Sequence, residues 1–531
     1  MAAAALRSLK TMLDSKLGET MKRIAILSSL ILASLAAAND NSADIDRVID
    51  IGKNKNQASN ILKHITEKIG ARLTGSPALE RGQKWAMEQF KKWGLQNVHL
   101  DKWGEVPVGF ERGERQIARM TAPWKQDFVF STPAWTPGTN GLVKVKPILQ
   151  PTTVEEFKAM ESKLKGAWIL MRTQSGLRGP QGGNRELDEL LDNAPIAGRI
   201  YGTADERVHT GGRFTGLTWD NLPKQVQVRV RKSDYSTIMT AINAKRDIEL
   251  EFDIENKFIK GPIPQYNVIA DIPGTERPDE MVIVCGHFDS WNGPGSQGAC
   301  DNGTGSTMTL ESARILASAG VKPKRTIRFI LWSGEEQGLL GSRAYVEKNK
   351  ALMSKVSAVF NDDGGTNYQG GYVCLESMAP MLQAAMAPSQ AAFPDLPMKL
   401  NVVPTMPSGG SSDHAPFIWE GVPAFFTIEA GKADYGFVWH TQHDRFENAI
   451  PEYMVQSSTN AAVVALNVAN ADQLLPRPPK PERGAGGLKA PVAGGTRNYY
   501  HDHSHDDDHD HEDDYVDYVV DRLLRFLGIL R

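Results

Sequence analysis

The chain has 531 residues, 41% hydrophobic and 23% charged, with a formal net charge of −3. That is an ordinary globular composition, and the charge gives no electrostatic reason to bind nucleic acid or an anionic membrane. Length at ~150 residues per domain suggests two to four domains, and the three cysteines (Cys285, Cys300, Cys374) cannot build a disulfide framework.

Met21–Lys22–Arg23 is a short basic start, followed by a mostly apolar run from Ile24 to Leu35 and the small residues Ala36–Ala37–Ala38. Basic, apolar, small is the order of a signal peptide. The run falls short of the ~20 residues a membrane span needs. The expectation is a secreted or periplasmic protein with no transmembrane anchor after cleavage. Residues 1–38 are then an N-terminal extension plus signal peptide, with the signal starting near Met21.

Residues 45–100 carry helical spacing, as in Ala78–Leu95, interrupted by the turn-rich loop Gly70–Pro77. From Ala122 to Asp253 short β-like runs appear (Ala167–Met171, Gln225–Val230, Ile248–Phe252), which predicts a separate β-rich insertion. From Tyr266 the pattern becomes strand, glycine loop, helix. Strands are expected at Asn267–Ile272, Met281–Cys285, Thr326–Trp332, Ala358–Asn361 and Pro423–Ile428. Helices are expected at Gly305–Ala319, Leu339–Asn349 and Pro451–Ala469. Near-continuous apolar strands alternating with helices imply an α/β fold, a mostly parallel mixed sheet sandwiched by helices. Residues 45–121 and 254–475 form this unit and 122–253 the insertion. Residues 476–531 are a Pro/Gly-rich linker, a His/Asp-rich tail and a short C-terminal segment. Five of the twelve histidines lie in 501–511 among acids, a pattern of a solvated tail or of local metal capture.

Sites in such sheets form beyond the carboxyl ends of the strands. The strand ending at Cys285 runs into His287–Phe288–Asp289, where alternation points His287 and Asp289 to one side, as suits an imidazole ligand oriented by a carboxylate behind it. A glycine-rich loop then leads to Asp301, just ahead of a helix, where an anion is favoured. The strand ending at Trp332 runs into Glu335–Glu336. Two carboxylates at a buried strand end need a compensating cation, and a metal lets one ligate while the other acts as general base. The strand ending at Asn361 supplies Asp362 and Asp363, only one of which can face the site. His440 and His443 add two candidate imidazoles. Mixed His/carboxylate ligation suits Zn²⁺, with Co²⁺ or Mn²⁺ as alternatives.

These residues, with Gly75–Ser76–Pro77, Tyr266–Asn267–Val268–Ile269–Ala270, Gly286–His287–Phe288–Asp289–Ser290, Asp301–Asn302–Gly303, Trp332–Ser333–Gly334–Glu335–Glu336 and Ser412–Asp413–His414–Ala415–Pro416–Phe417, resemble the di-zinc aminopeptidase family, which includes bacterial leucyl aminopeptidases and carboxypeptidase Q. The resemblance spans roughly 45–475. It implies that His287 and Asp363 bind one zinc, Glu336 and His440 the other, and that Asp301 bridges them. It also implies that Glu335 is the general base, that Asp289 orients His287, and that the Asp301–Asn302 peptide is cis. The 122–253 insertion resembles a protease-associated domain. Two departures are visible: Trp439 stands where some relatives have a tyrosine able to stabilise an oxyanion, and Arg445 where threonine is usual.

The function implied is that of an exported zinc aminopeptidase acting on peptides, with a carboxypeptidase Q-like dipeptidase as the alternative. A catalytically silent homologue is disfavoured by the complete ligand set. A homodimer is left open.

Overall fold

The computed structural model describes residues 42–176, 179–180, 184–409 and 411–481. The signal peptide and the His/Asp-rich tail lie outside the described residues. Among those described, no helix is long and apolar enough to cross a membrane, and all three cysteines are free and buried.

The larger sheet is mixed. Its centre is parallel: Arg277–His287 lies between Arg325–Trp332 and Val356–Asn361, with Ile283 opposite Arg328 and Val359, and Ala424–Ala430 continues the parallel set beside Val356–Asn361. Val282, Val284, Ile327, Phe329 and Leu331 are fully buried, which explains why these strands read as unbroken apolar runs. The sheet is flanked by helices, as the sequence implies. Gly303–Ala319 and Pro451–Asn470 pack on each other and on the central strands, and Pro77–Lys92 packs on the strand Gln96–Ala122. Two of these helices start at a side-chain cap. Ser76 accepts from the Leu79 N–H at 3.2 Å ahead of Pro77, and Asn302 accepts from the Gly305 N–H at 2.9 Å. Gly320, at φ +66°, ends the second of these helices in the left-handed conformation.

Two strands leave this sheet together. Gln96–Ala122 and Glu249–Ile272 pair antiparallel along most of their length, from His99 opposite Ile269 to Met120 opposite Leu250. Their far ends join a second hydrophobic cluster, in which Trp168 stacks on Phe252 with ring centroids 4.5 Å apart. Beyond the ribbon lies a six-stranded sheet with Trp168–Gly176, Gly198–Thr203 and Val226–Val230 parallel at its centre. Three helices cover it: Val154–Met160, Arg185–Asn193 and Lys232–Asn243. The sequence reading saw the strands of this region and not these helices. Val154–Met160 and Arg185–Asn193 are short and richly charged, Lys232–Asn243 is mostly polar, and each buries only a narrow stripe, such as Leu187 and Leu191.

Candidate metal centre

Three strand ends and two loops place the candidate ligands. His287 is the last residue of Arg277–His287, and its Nε2 lies 3.0 Å from Asp363 Oδ1 and 3.3 Å from Asp301 Oδ1. Asp363 follows the strand Val356–Asn361 by two residues. Asp301 turns its other oxygen, Oδ2, to within 3.1 Å of His440 Nε2, and that same nitrogen lies 3.1 Å from Glu336 Oε2. Two groups thus converge, His287–Asp301–Asp363 and Asp301–Glu336–His440, with ligand atoms of each within 4.8 Å of one another. Asp301 is common to both. The Asp301–Asn302 peptide is cis.

The electrostatics fit a multivalent cation. Burial lowers the pKa of His287, yet Asp363 and Glu335 raise it well above the usual histidine value. Burial also lowers that of His440, and Glu336 and Asp301 drive it up to about 10. Carboxylates that pull protons onto two imidazoles this strongly would equally favour a divalent ion between them. Burial, and then Asp301, push Glu336 up to about 7, and its Oε1 is buried with no hydrogen-bond partner. The donor set, two imidazoles and three carboxylates, is one that suits Zn²⁺.

Glu335 belongs to neither group. Its Oε2 is 4.0 Å from His287 Nε2, and burial raises its carboxyl well above the ordinary range. Asp289 differs in detail from the expectation. The Nδ1–H of His287 donates to the Asp289 backbone carbonyl at 2.9 Å, while the carboxylate stands 3.7 Å away. The carboxylate instead accepts from Thr74 Oγ1 at 2.6 Å and from the Glu335 N–H at 3.3 Å. Asp289 therefore ties the His287 loop to the Glu335 loop.

Of the close alternatives, Asp362 faces away and accepts from Gln369 Nε2 at 2.7 Å. His443 stacks on Phe437 with centroids 4.1 Å apart. Trp439 stacks on His440 at 4.2 Å, so it borders that imidazole without offering a hydroxyl.

Several supporting residues escaped the sequence reading. Arg72 is fully buried; its Nε donates to Phe288 O at 2.6 Å, Nη1 to Gly70 O and Gln297 O, and Nη2 to Gly298 O at 2.8 Å. One guanidinium thus pins the loops leading from His287 and towards Asp301. Asp444 accepts from the Cys300 and Asp301 N–H groups at 2.5 and 3.4 Å. Tyr435 is the third. Burial, and then the charges of Asp301 and Asp363, push its phenol well up. The only local signal for any of these was the turn chemistry around Gly70 and the acid four residues after His440.

A mixed α/β sheet with histidines and carboxylates gathered beyond its parallel strands is the plan of a metal-dependent hydrolase. Residues 267–465, which carry every candidate ligand, match the model of Peptidase family M28. The chain is a metallo-exopeptidase, a hydrolase of peptide bonds. Carboxypeptidase Q of Mus musculus is 27% identical over 459 residues, covering 84% of this chain and 93% of the mouse protein. Leupeptin-inactivating enzyme 1 of Streptomyces exfoliatus is 33% identical over 159 residues, covering 30% and 34%. Among solved structures, a Peptidase M28 precursor from Shewanella amazonensis superposes with a TM-score of 0.61 at 22% identity, covering 83% of this chain and all of that one. A zinc aminopeptidase from Bacillus subtilis gives 0.51 at 21% identity, covering 77% and 93%. These two likenesses concern the fold.

Proposed function

We propose that the chain is an exported exopeptidase that works through a two-zinc centre, with one ion on His287 and Asp363, the other on Glu336 and His440, and Asp301 between them. The observation that carries this reading is the position of Asp301, whose two oxygens face the two histidines at 3.3 and 3.1 Å. Zinc bound there would polarise the scissile carbonyl and make a water acidic enough to attack near neutral pH. Glu335, outside both ligand groups and raised well above the ordinary carboxyl range by burial, takes the proton of the attacking water and returns it to the departing amine. Asp289 holds Glu335 in register with His287 through its hydrogen bond to the Glu335 backbone. Residues 45–121 and 254–475 form the catalytic unit, and 122–253 a protease-associated-like insertion. Export rests on the Met21–Ala38 pattern.

The substrates on this reading are peptides with a free amino terminus. Dipeptides are favoured by a second observation: carboxypeptidase Q relatives align with this chain almost end to end, insertion included, whereas the bacterial leupeptin-inactivating enzyme aligns over a third of its length. The test is a panel of amino-acid nitroanilides, unblocked dipeptides and N-blocked dipeptides with the zinc-loaded chain. Turnover of unblocked substrates alone is expected, with the ratio of dipeptides to nitroanilides separating dipeptidase from aminopeptidase. Equal cleavage of the N-blocked set would overturn the exopeptidase assignment.

A further inference from the structure

His440 is held in an uncommon way. Its φ is +53°, a left-handed conformation that non-glycine residues adopt at a cost and keep only where the surroundings over-determine it. Its side chain meets two carboxylates on one side, while aromatic rings, Trp439 stacked and Trp291 edge-on, border the imidazole. None of these fixes its backbone. Within its own loop the Thr441 N–H donates to Val438 O at 3.0 Å, and the smaller unit supplies further tethers on either side of it. The Thr210 N–H donates to His440 O at 2.8 Å, and the Gln442 N–H donates to Val208 O at 3.2 Å. His209 and Thr441 form an antiparallel bridge between these two bonds. The Gln442 side chain repeats the link, its Oε1 accepting from the Val208 N–H at 2.7 Å. Arg207 Nη1 donates to Gly436 O at 2.8 Å on the same loop.

The partner segment is itself anchored. Ser131 Oγ, in the smaller sheet, donates to His209 O at 3.0 Å, and the Ala134 N–H donates to Gly211 O at 2.7 Å. The segment is also seated against the catalytic unit at Gly293, where any side chain would collide with Thr210. A short two-stranded ladder thus joins the smaller sheet to the loop that carries one ligand.

We propose that residues 206–210 of the smaller unit are a positioning element for His440, so that this unit sets how tightly the Asp301–Glu336–His440 site holds its ion and leaves the His287–Asp301–Asp363 site alone. The inference rests on the two-ion reading above. It turns the smaller unit from an appendage into a part of one metal site, acting through the backbone on a ligand it does not itself supply. Groups that orient a ligand are commonly worth ~10–100-fold in metal affinity.

The test is titration of the metal-stripped full chain with Zn²⁺, read by calorimetry. Thr210→Pro removes the N–H that bonds His440 O, and Thr210→Ala keeps it. The wild type is expected to take up two ions. Thr210→Pro should bind one of them at least ~10-fold more weakly, in the same event that His440→Ala abolishes, with the other unchanged and with Thr210→Ala close to wild type. Gln442→Ala, which leaves the Val208 N–H without its acceptor, should weaken the same event, and it decides the matter if the proline variant does not fold. Two ions bound with wild-type affinity by Thr210→Pro, or by Gln442→Ala in its place, would overturn the positioning role and leave the two-ion reading standing. A wild type that binds a single ion would overturn both.

Discussion

Replacing Glu335 by glutamine separates the roles proposed for the adjacent glutamates. The amide keeps the shape of the side chain and cannot accept the proton of an attacking water. Glu335 lies in neither ligand group, and its approach to a ligand is 4.0 Å from His287 Nε2. Zinc stoichiometry and affinity should therefore stay close to wild type. Its carboxyl is buried, and that burial raises it well above the ordinary range. The loss of a general base should fall in the ~10²–10⁴-fold range, which at ~1.36 kcal/mol per decade is about 3–5 kcal/mol of barrier. Because the interaction belongs to the transition state, kcat should fall and KM hold. Glu336→Gln should behave oppositely: it removes a ligand, so zinc binding weakens and activity recovers partly with excess zinc. The assay is steady-state hydrolysis of an unblocked dipeptide at saturating zinc beside calorimetric zinc titration. Near-wild-type turnover in Glu335→Gln, or loss of an ion from it, would refute the base assignment.

Arg72→Met should destabilise the chain by about 3–5 kcal/mol, because four backbone carbonyls, two of them in fully buried bonds, lose their donor together. Urea denaturation measures it, and a change under ~1 kcal/mol would refute the pinning role. His414 is 5% exposed, its Nδ1 has no partner, and burial pushes it down to about 4. A base whose folded pKa lies below its unfolded one costs stability as pH falls from about 6.5 towards 4, where the unfolded chain takes the proton first. His414→Leu should therefore lose about 2 kcal/mol less stability than wild type between pH 7.5 and 4.5, by chemical denaturation at both values. Equal losses in the two chains would contradict it.

The parts of this site that could be read from sequence share a cause. His287, Glu335, Glu336 and Asp363 each follow a buried apolar strand, so the strand pattern itself announced where a polar residue needed a reason. The same logic located the parallel centre of the sheet, whose strands appear within a few residues of the expected positions. The helix Ala379–Ala392 carries Pro388 inside it, and the short strand Lys399–Val402 is half exposed; neither has the periodicity that announced the others. Arg72, Thr74 and the 206–210 segment act across more than two hundred residues of chain. Their contacts are set by tertiary packing and leave no local signature. Asp289 shows the intermediate case: its spacing from His287 was legible, whereas the backbone carbonyl that meets the imidazole was not.

Whether five residues hold two ions with Asp301 shared can be seen by crystallography of the zinc-loaded chain, with anomalous scattering at the zinc edge. Two peaks are expected, one against His287 and Asp363, the other against Glu336 and His440, each within bonding distance of Asp301. A single peak, or ligation through Asp362 or His443, would contradict that arrangement.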